Sequence, residues 1–287
     1  MALYRSATPR LTAGRGEGSA RVSNARELRG TRYVALGSSY AAGPGILPVS
    51  DVGCGRSGRN YPHQLAAALE LDLVDVSSAG ATTAEVIDRP QRLPCGTVVP
   101  PQLRAVTAET RLVTVTIGGN DLGMIGGLLA RSRGRLVTSG RARPPEDRVA
   151  GGVDAFRTAA EFAAVERSIT EIVRRVRAEA PHARVLLVEY LPILPASGPL
   201  RHDIPLTVRD AVHHRHIYAG LLAATRAAAD ATGADAVRVP GAENHTICTP
   251  VPWVHGYGDN PDVTAYHPTL AGMTAVAHHL IRFLTRG

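Results

Sequence analysis

Short apolar runs bounded by Gly, Ser or Pro alternate along the chain with longer stretches that carry a helical stripe. Residues 31–37 (TRYVALG) read as a buried strand that ends in Gly37-Ser38-Ser39. Residues 61–71 follow as a helix with Pro62 in its first turn, and Leu73-Val-Asp-Val-Ser is a second strand. In residues 111–117, Val113, Val115 and Ile117 alternate with Thr114 and Thr116, which predicts a third strand. Val165, Ile169, Ile172, Val173 and Val176 share one helical face ahead of Pro181. Residues 183–191 then read as a strand, 206–231 as a helix and 235–239 as the fifth strand. Leu270, Met273, Ala277, Leu280, Ile281 and Leu284 stripe a last helix. Strands alternating with helices imply a five-stranded parallel sheet covered on both faces, the α/β class. Only residues 123–160, rich in Gly and Arg, lack clear periodicity, and such a segment reads as a lid or insert.

Open parallel sheets bind ligands beyond the carboxyl ends of their strands, so the residues that end the strands carry the chemistry. These are Gly37-Ser38-Ser39, then Ser77-Ser-Ala-Gly80-Ala-Thr-Thr83, then Gly118-Gly119-Asn120-Asp121. The last helix is preceded by Tyr266-His267-Pro268. A Ser, a Gly, an Asn and a His gathered at one sheet edge suit acyl transfer. Ser39 would be the nucleophile and His267 the base, with the N–H groups of Ser39 and Gly80 and the Asn120 carboxamide as oxyanion donors. Glycine at 80 would let the backbone approach the substrate, and a neutral amide at 120 donates without titrating.

Composition narrows the chemistry. All 32 basic residues of the 287 are Arg, so the phosphate lysine of a P-loop and the Schiff-base lysine of pyridoxal enzymes are both excluded. The net charge of +7 is concentrated in two places. Residues 1–36 hold seven Arg against Glu17 and Glu27, and residues 131–148 hold six against Glu146 and Asp147. The body between them is slightly acidic, and aromatics make up only 4%, which argues against nucleic acid as a partner. Residues 1–30 read as an Arg-rich flexible arm and 31–287 as one domain, expected to be a monomer. The first 30 residues have no apolar core of a signal peptide, and Gly118 to Asp121 interrupt the longest weakly charged stretch, 112–130, so no membrane span is expected. His213, His214 and His216, at spacings that do not converge on one ion, read as a polar helix face rather than a metal site.

Gly37-Ser38-Ser39, Gly80, Gly118-Gly119-Asn120-Asp121 and His267-Pro268 resemble, in order and spacing, the four sequence blocks of the SGNH (GDSL) hydrolases. Cys54-Gly-Arg56-Ser57 with Tyr61-Pro62, the run 111–122, and His245 to Cys248 followed by Pro252-Trp253-Val254 are similar to the actinobacterial secreted esterase and lipase branch. The resemblance spans residues 31–287. It implies a three-layer α/β/α flavodoxin-like sandwich, no cofactor or metal, and hydrolysis of a small-molecule or lipid carboxylic ester; the six arginines of the insert point to a lipid interface as partner, with a solvated loop as the alternative. Phospholipase or carbohydrate O-acetyl esterase activity fits the same blocks. The rival from another class is an inactive SGNH fold that binds anionic polymer through the arm and the insert.

Two positions depart from the family pattern. Ser38 stands where the family usually has Asp, and Thr264 where the acid of the triad is usual. By resemblance to members that use a main-chain carbonyl at that point, the Thr264 C=O would accept the His267 Nδ1–H, with Asp262 and Asp259 as alternatives. The resemblance also implies a Cys54–Cys95 disulfide, leaves Cys248 unpaired and suggests an exported protein; a cytoplasmic one is the alternative.

Overall fold

A computed structural model describes residues 25–140, 156–258 and 264–286. The expected five strands are β1 (Arg32–Gly37), β2 (Asp72–Asp75), β3 (Thr110–Thr116), β4 (Arg184–Val188) and β5 (Asp235–Val237). All pair in parallel in the order β2-β1-β3-β4-β5. This is the flavodoxin-like doubly wound order, whose switch point lies at β1, between β2 and β3. Leu36, Val113, Val115 and Leu186 are almost fully buried in the continuous core. Strands covered on both faces need such apolar runs.

The helices are α1 (Ser39–Ala42), α2 (Tyr61–Leu69), α3 (Thr83–Ile87), α4 (Met124–Thr138), α5 (Ala159–Glu179), α6 (Val208–Thr232) and α7 (Leu270–Thr285). On one side α2 packs against α7; on the other α5 packs against α3 and α6, and α4 joins α6. Reciprocal capping boxes start α5 and α6: Thr158 with Glu161, and Thr207 with Asp210.

Part of the stretch 123–160 is helical. Met124, Ile125, Leu128 and Ser132 form the buried side of α4. Three glycines on α4 (Gly126, Gly127 and Gly134) dilute this stripe in the sequence. Residues 141–155 lie outside the described residues, as do Asp259, Asp262 and most of the arm. Residues 25–28 form a helical turn that buries Leu28. Gly30 N–H donates to the Glu70 carbonyl at 2.7 Å, so the fold reaches back to this turn.

Candidate active site

Ser39 opens α1 directly after β1, and the chain must turn sharply to place it there. Gly37 makes the turn with φ +150°, and a Cβ on it would stand 2.6 Å from the Thr116 carbonyl of β3. Its peptide is clamped by Gln102, whose Oε1 accepts the Gly37 N–H at 2.7 Å while Nε2 donates to the Gly37 carbonyl at 3.0 Å. Ser38 turns inward. Its Oγ lies 2.8 Å from Tyr190 Oη, which also accepts the Gly119 N–H at 3.2 Å. Ser38 is thus engaged in the protein interior, and among the described residues the Ser39 hydroxyl has no hydrogen-bond partner. Burial pushes the Tyr190 phenol well above its ordinary range, so it remains a neutral hydroxyl.

The three loops that carry Gly80, Asn120 and Ser39 are tied to one another. Asn120 Nδ2 donates to the Ala81 carbonyl at 2.8 Å, which fixes the carboxamide and leaves its second N–H free. Asp121 accepts the Thr83 hydroxyl at 2.5 Å and the Thr83 N–H at 3.1 and 3.2 Å, so the third block holds the second. From the other side the Cys54 carbonyl accepts Ala79 N–H at 2.8 Å, and Arg56 Nε donates to the Ser77 carbonyl at 3.0 Å. Neither the Ser39 nor the Gly80 N–H makes a hydrogen bond among the described residues. Gly80 has φ +82°, and a Cβ there would meet no protein atom closer than Gln91 Nε2 at 3.6 Å. Backbone conformation, rather than crowding by the protein, therefore requires glycine at 80.

His267 is placed by a strained turn. Tyr266 before it has φ +61°, unusual for a bulky residue, and is held by buried contacts. Its carbonyl accepts the Tyr40 hydroxyl at 2.8 Å, and its own hydroxyl lies 2.6 Å from Ser132 Oγ of α4. An antiparallel bridge pairs Val254 with Pro268, and His255 N–H donates to the His267 carbonyl at 2.9 Å. His245 and Trp253 stack with ring centroids 3.9 Å apart, a packing role.

The carbonyl that faces the imidazole belongs to Ala265, with His267 Nδ1 at 2.9 Å. Thr264 does not fill the expected role: its carbonyl instead accepts the His267 backbone N–H at 3.2 Å. The tight turn 264–267 closes on itself and brings the carbonyl one residue nearer the ring. With Nδ1 protonated toward Ala265, Nε2 is the basic nitrogen. Burial lowers the imidazole pKa to about 4; the Ala265 bond opposes this and the neighbouring His255 adds to it. The His267 ring is therefore neutral at pH 7. Ser39 Oγ and Nε2 make no hydrogen bond here; Tyr40, next to Ser39, has its ring centroid 5.9 Å from that of His267. Such contacts in an unliganded site commonly tighten when substrate binds.

Other expectations need correction. The Cys54–Cys95 disulfide is not formed: Cys54 is a buried free thiol, and Cys95 is a free thiol exposed on a turn where Leu93 N–H bonds the Thr97 carbonyl at 2.8 Å; Cys248 is unpaired, in line with the sequence reading. The histidines of α6 do not form a polar face, because His213 and His214 are buried and only His216 is exposed. Among the described residues no cluster of His, Cys, Asp or Glu could hold a metal, and no helix is long and apolar enough to cross a membrane. Tyr190, Gln102 and Ala265 were not singled out by the sequence. Tyr190 alone had a signal, since it follows the end of β4.

The sequence model of the GDSL-like Lipase/Acylhydrolase family matches residues 35–275. Lipase 2 of Streptomyces coelicolor is 34% identical over 282 residues, covering 96% of this chain and 92% of its own length. The lipase of Streptomyces rimosus is 25% identical over 261 residues, covering 90% and 88%. The crystal structure of the extracellular lipase from S. rimosus superposes with a TM-score of 0.64 at 23% identity, covering 87% of this chain and 98% of that one. Phospholipase A1 from Streptomyces albidoflavus gives the same TM-score and identity, with coverage of 88% and 98%. Sequence blocks, strand order and relatives agree: the chain is a carboxylic ester hydrolase and belongs to the GDSL-like lipase/acylhydrolase family, in its actinobacterial branch.

Proposed function

We propose that the protein hydrolyses lipid carboxylic esters through an acyl-enzyme, with Ser39 as nucleophile and His267 as base in a dyad oriented by the Ala265 carbonyl. The observation that carries this reading is the His267 tautomer: Nδ1 faces Ala265 and Nε2 has no hydrogen-bond partner among the described residues. Nε2 takes the Ser39 hydroxyl proton as Oγ bonds to the ester carbon. The carbonyl oxygen becomes an oxyanion, held by the N–H groups of Ser39 and Gly80 and the free N–H of Asn120. The C–O bond to the alcohol then breaks, and the imidazolium returns its proton to the leaving oxygen. Water repeats the sequence, with His267 as base, and releases the acid. No step calls for a metal or cofactor.

The lipid class rests on the lipase relatives and on surface apolarity. Leu47, Val49 and Val52 stand exposed on the segment that follows α1, where they would meet an acyl chain or a lipid surface. Helix α4, joined to Tyr266 through Ser132, would roof the site as the described part of a lid. We expect the protein to act as a monomer.

A p-nitrophenyl ester series from acetate to palmitate, run beside Ser39→Ala, tests the assignment. Turnover by the parent and a loss of about a thousandfold or more in the variant are expected. A variant as active as the parent would overturn it. The preferred chain length separates a lipase from an O-acetyl esterase.

A further inference from the structure

We infer that Gln91 is a positioning residue of the oxyanion site: it locks the peptide whose N–H, at Gly80, is a proposed oxyanion donor. Ala81 N–H donates to the Ser78 carbonyl at 3.2 Å, which closes a four-residue turn over 78–81. Gly80 is the third residue of this turn and has φ +82°, while Ala79 is not left-handed, the pattern of a type II turn. Type I and type II turns share their ends and differ by a flip of the central peptide, here Ala79–Gly80. That flip would reverse the Gly80 N–H and take it away from the oxyanion. Glycine at 80 accepts both forms, so its own backbone does not choose between them.

The choice is made by the bond at the other end of the same peptide. Gln91 Nε2 donates to the Ala79 carbonyl at 2.8 Å, and a trans peptide points its C=O and N–H in opposite directions. Holding that carbonyl toward Gln91 turns the Gly80 N–H the other way, and the bond polarises the N–H as well. Ala79 N–H is fixed separately, to the Cys54 carbonyl at 2.8 Å, so the preceding peptide stays in place whichever way this one faces. Gln91 is anchored in turn by the antiparallel pairing of Gln91–Arg92 with Val98–Val99. Among the described residues its carboxamide makes no other bond: Oε1 is buried and has no hydrogen-bond partner. One bond gained and one acceptor stranded nearly cancel in stability, and what remains is the orientation of the peptide. This role rests on the acyl-enzyme reading proposed above.

Gln91→Met keeps the length of the side chain and removes the donor. On p-nitrophenyl esters its kcat should fall about tenfold with KM within about twofold, less than the hundredfold to thousandfold of deleting a donor. Its melting temperature should stay within about 3 °C of the parent, because the stranded acceptor leaves with the donor. A trifluoromethyl ketone probes the oxyanion itself: its carbonyl carbon takes Ser39 Oγ, His267 takes the proton, and a hemiketal oxyanion forms. It should bind the Met variant about tenfold more weakly. Gln91→Glu adds a pH signature. A protonated carboxyl still donates to the Ala79 carbonyl, whereas a carboxylate repels it and favours the flipped peptide. Relative to the parent, the kcat of this variant should fall by about threefold or more between about pH 5 and 8, a range in which His267 stays neutral. Parent-like kcat in Gln91→Met, a rate loss matched by a loss of melting temperature, or a pH-independent ratio for Gln91→Glu would each overturn the inference. An inactive Ser39→Ala beside them would leave the acyl-enzyme reading standing; a fully active one would overturn both.

Discussion

Tyr190 Oη stands 2.8 Å from Ser38 Oγ, and the pair connects the turn before Ser39 to the loop that carries Asn120. Family members usually place a carboxylate at position 38. Here a serine hydroxyl leaves room that a phenol from the end of β4 fills, and Gly119 lacks a Cβ because one would lie 2.9 Å from the Tyr190 ring. Tyr190→Phe keeps the ring but strands the Ser38 hydroxyl and the Gly119 N–H. We expect kcat to fall about tenfold or more with KM little changed, and stability to drop by about 1–3 kcal/mol. Adding Ser38→Asp should recover part of kcat, because its carboxylate can accept the Gly119 N–H. Steady-state kinetics on the single and double variants read both effects, and Ser38→Asp alone should remain active.

The acid limb of kcat/KM should fall near pH 4 rather than at the ordinary histidine value near 6.5, because burial favours neutral His267. The sign of the stability effect follows from proton counts. Between about pH 6.5 and 4 the unfolded chain takes up a proton that the folded one refuses, so stability is complete above that window and is lost as pH falls through it. His214, lowered further, acts in the same direction. Thermal melts from pH 8 to 4, beside a pH–rate profile, check both; a profile that titrates at 6.5 would contradict the burial.

The five strands and the first three chemical blocks are legible because each is local: an apolar run, then a glycine-bearing turn. The buttresses are not. Gln102 reaches Gly37 across 65 positions and Tyr190 reaches Ser38 across 152, and no spacing rule links such pairs. Ala265 escaped notice for another reason. A main-chain carbonyl has no side-chain identity, and only the φ of Tyr266 decides which carbonyl faces the ring. Helix α4 was hidden because glycines and a buried serine replace half of the apolar stripe that would announce it.

The Ala265 carbonyl fixes the tautomer without a negative charge, so the acids shortly before it in the sequence should be dispensable. Asp259→Asn and Asp262→Asn are each expected to retain activity within a few-fold. Amidating a true triad carboxylate costs about ten-thousandfold in kcat, so the outcomes are far apart. A loss on that scale in either variant would restore a carboxylate triad.

Asp121 should act on the rate without touching the substrate. Its carboxylate holds Thr83 through both the hydroxyl and the N–H, three residues beyond Gly80, while its neighbour Asn120 bonds the Ala81 carbonyl. Two of the three proposed oxyanion donors therefore depend on one carboxylate for their spacing. Asp121→Ala removes that tie, and misplacing a donor costs less than deleting it, which is worth about a hundredfold to a thousandfold. A fall in kcat of about ten- to a hundredfold is expected, with KM nearly constant. Asp121→Asn keeps one acceptor for Thr83 and should lie between the parent and the alanine variant. A KM effect that exceeds the kcat effect would place Asp121 in substrate binding instead.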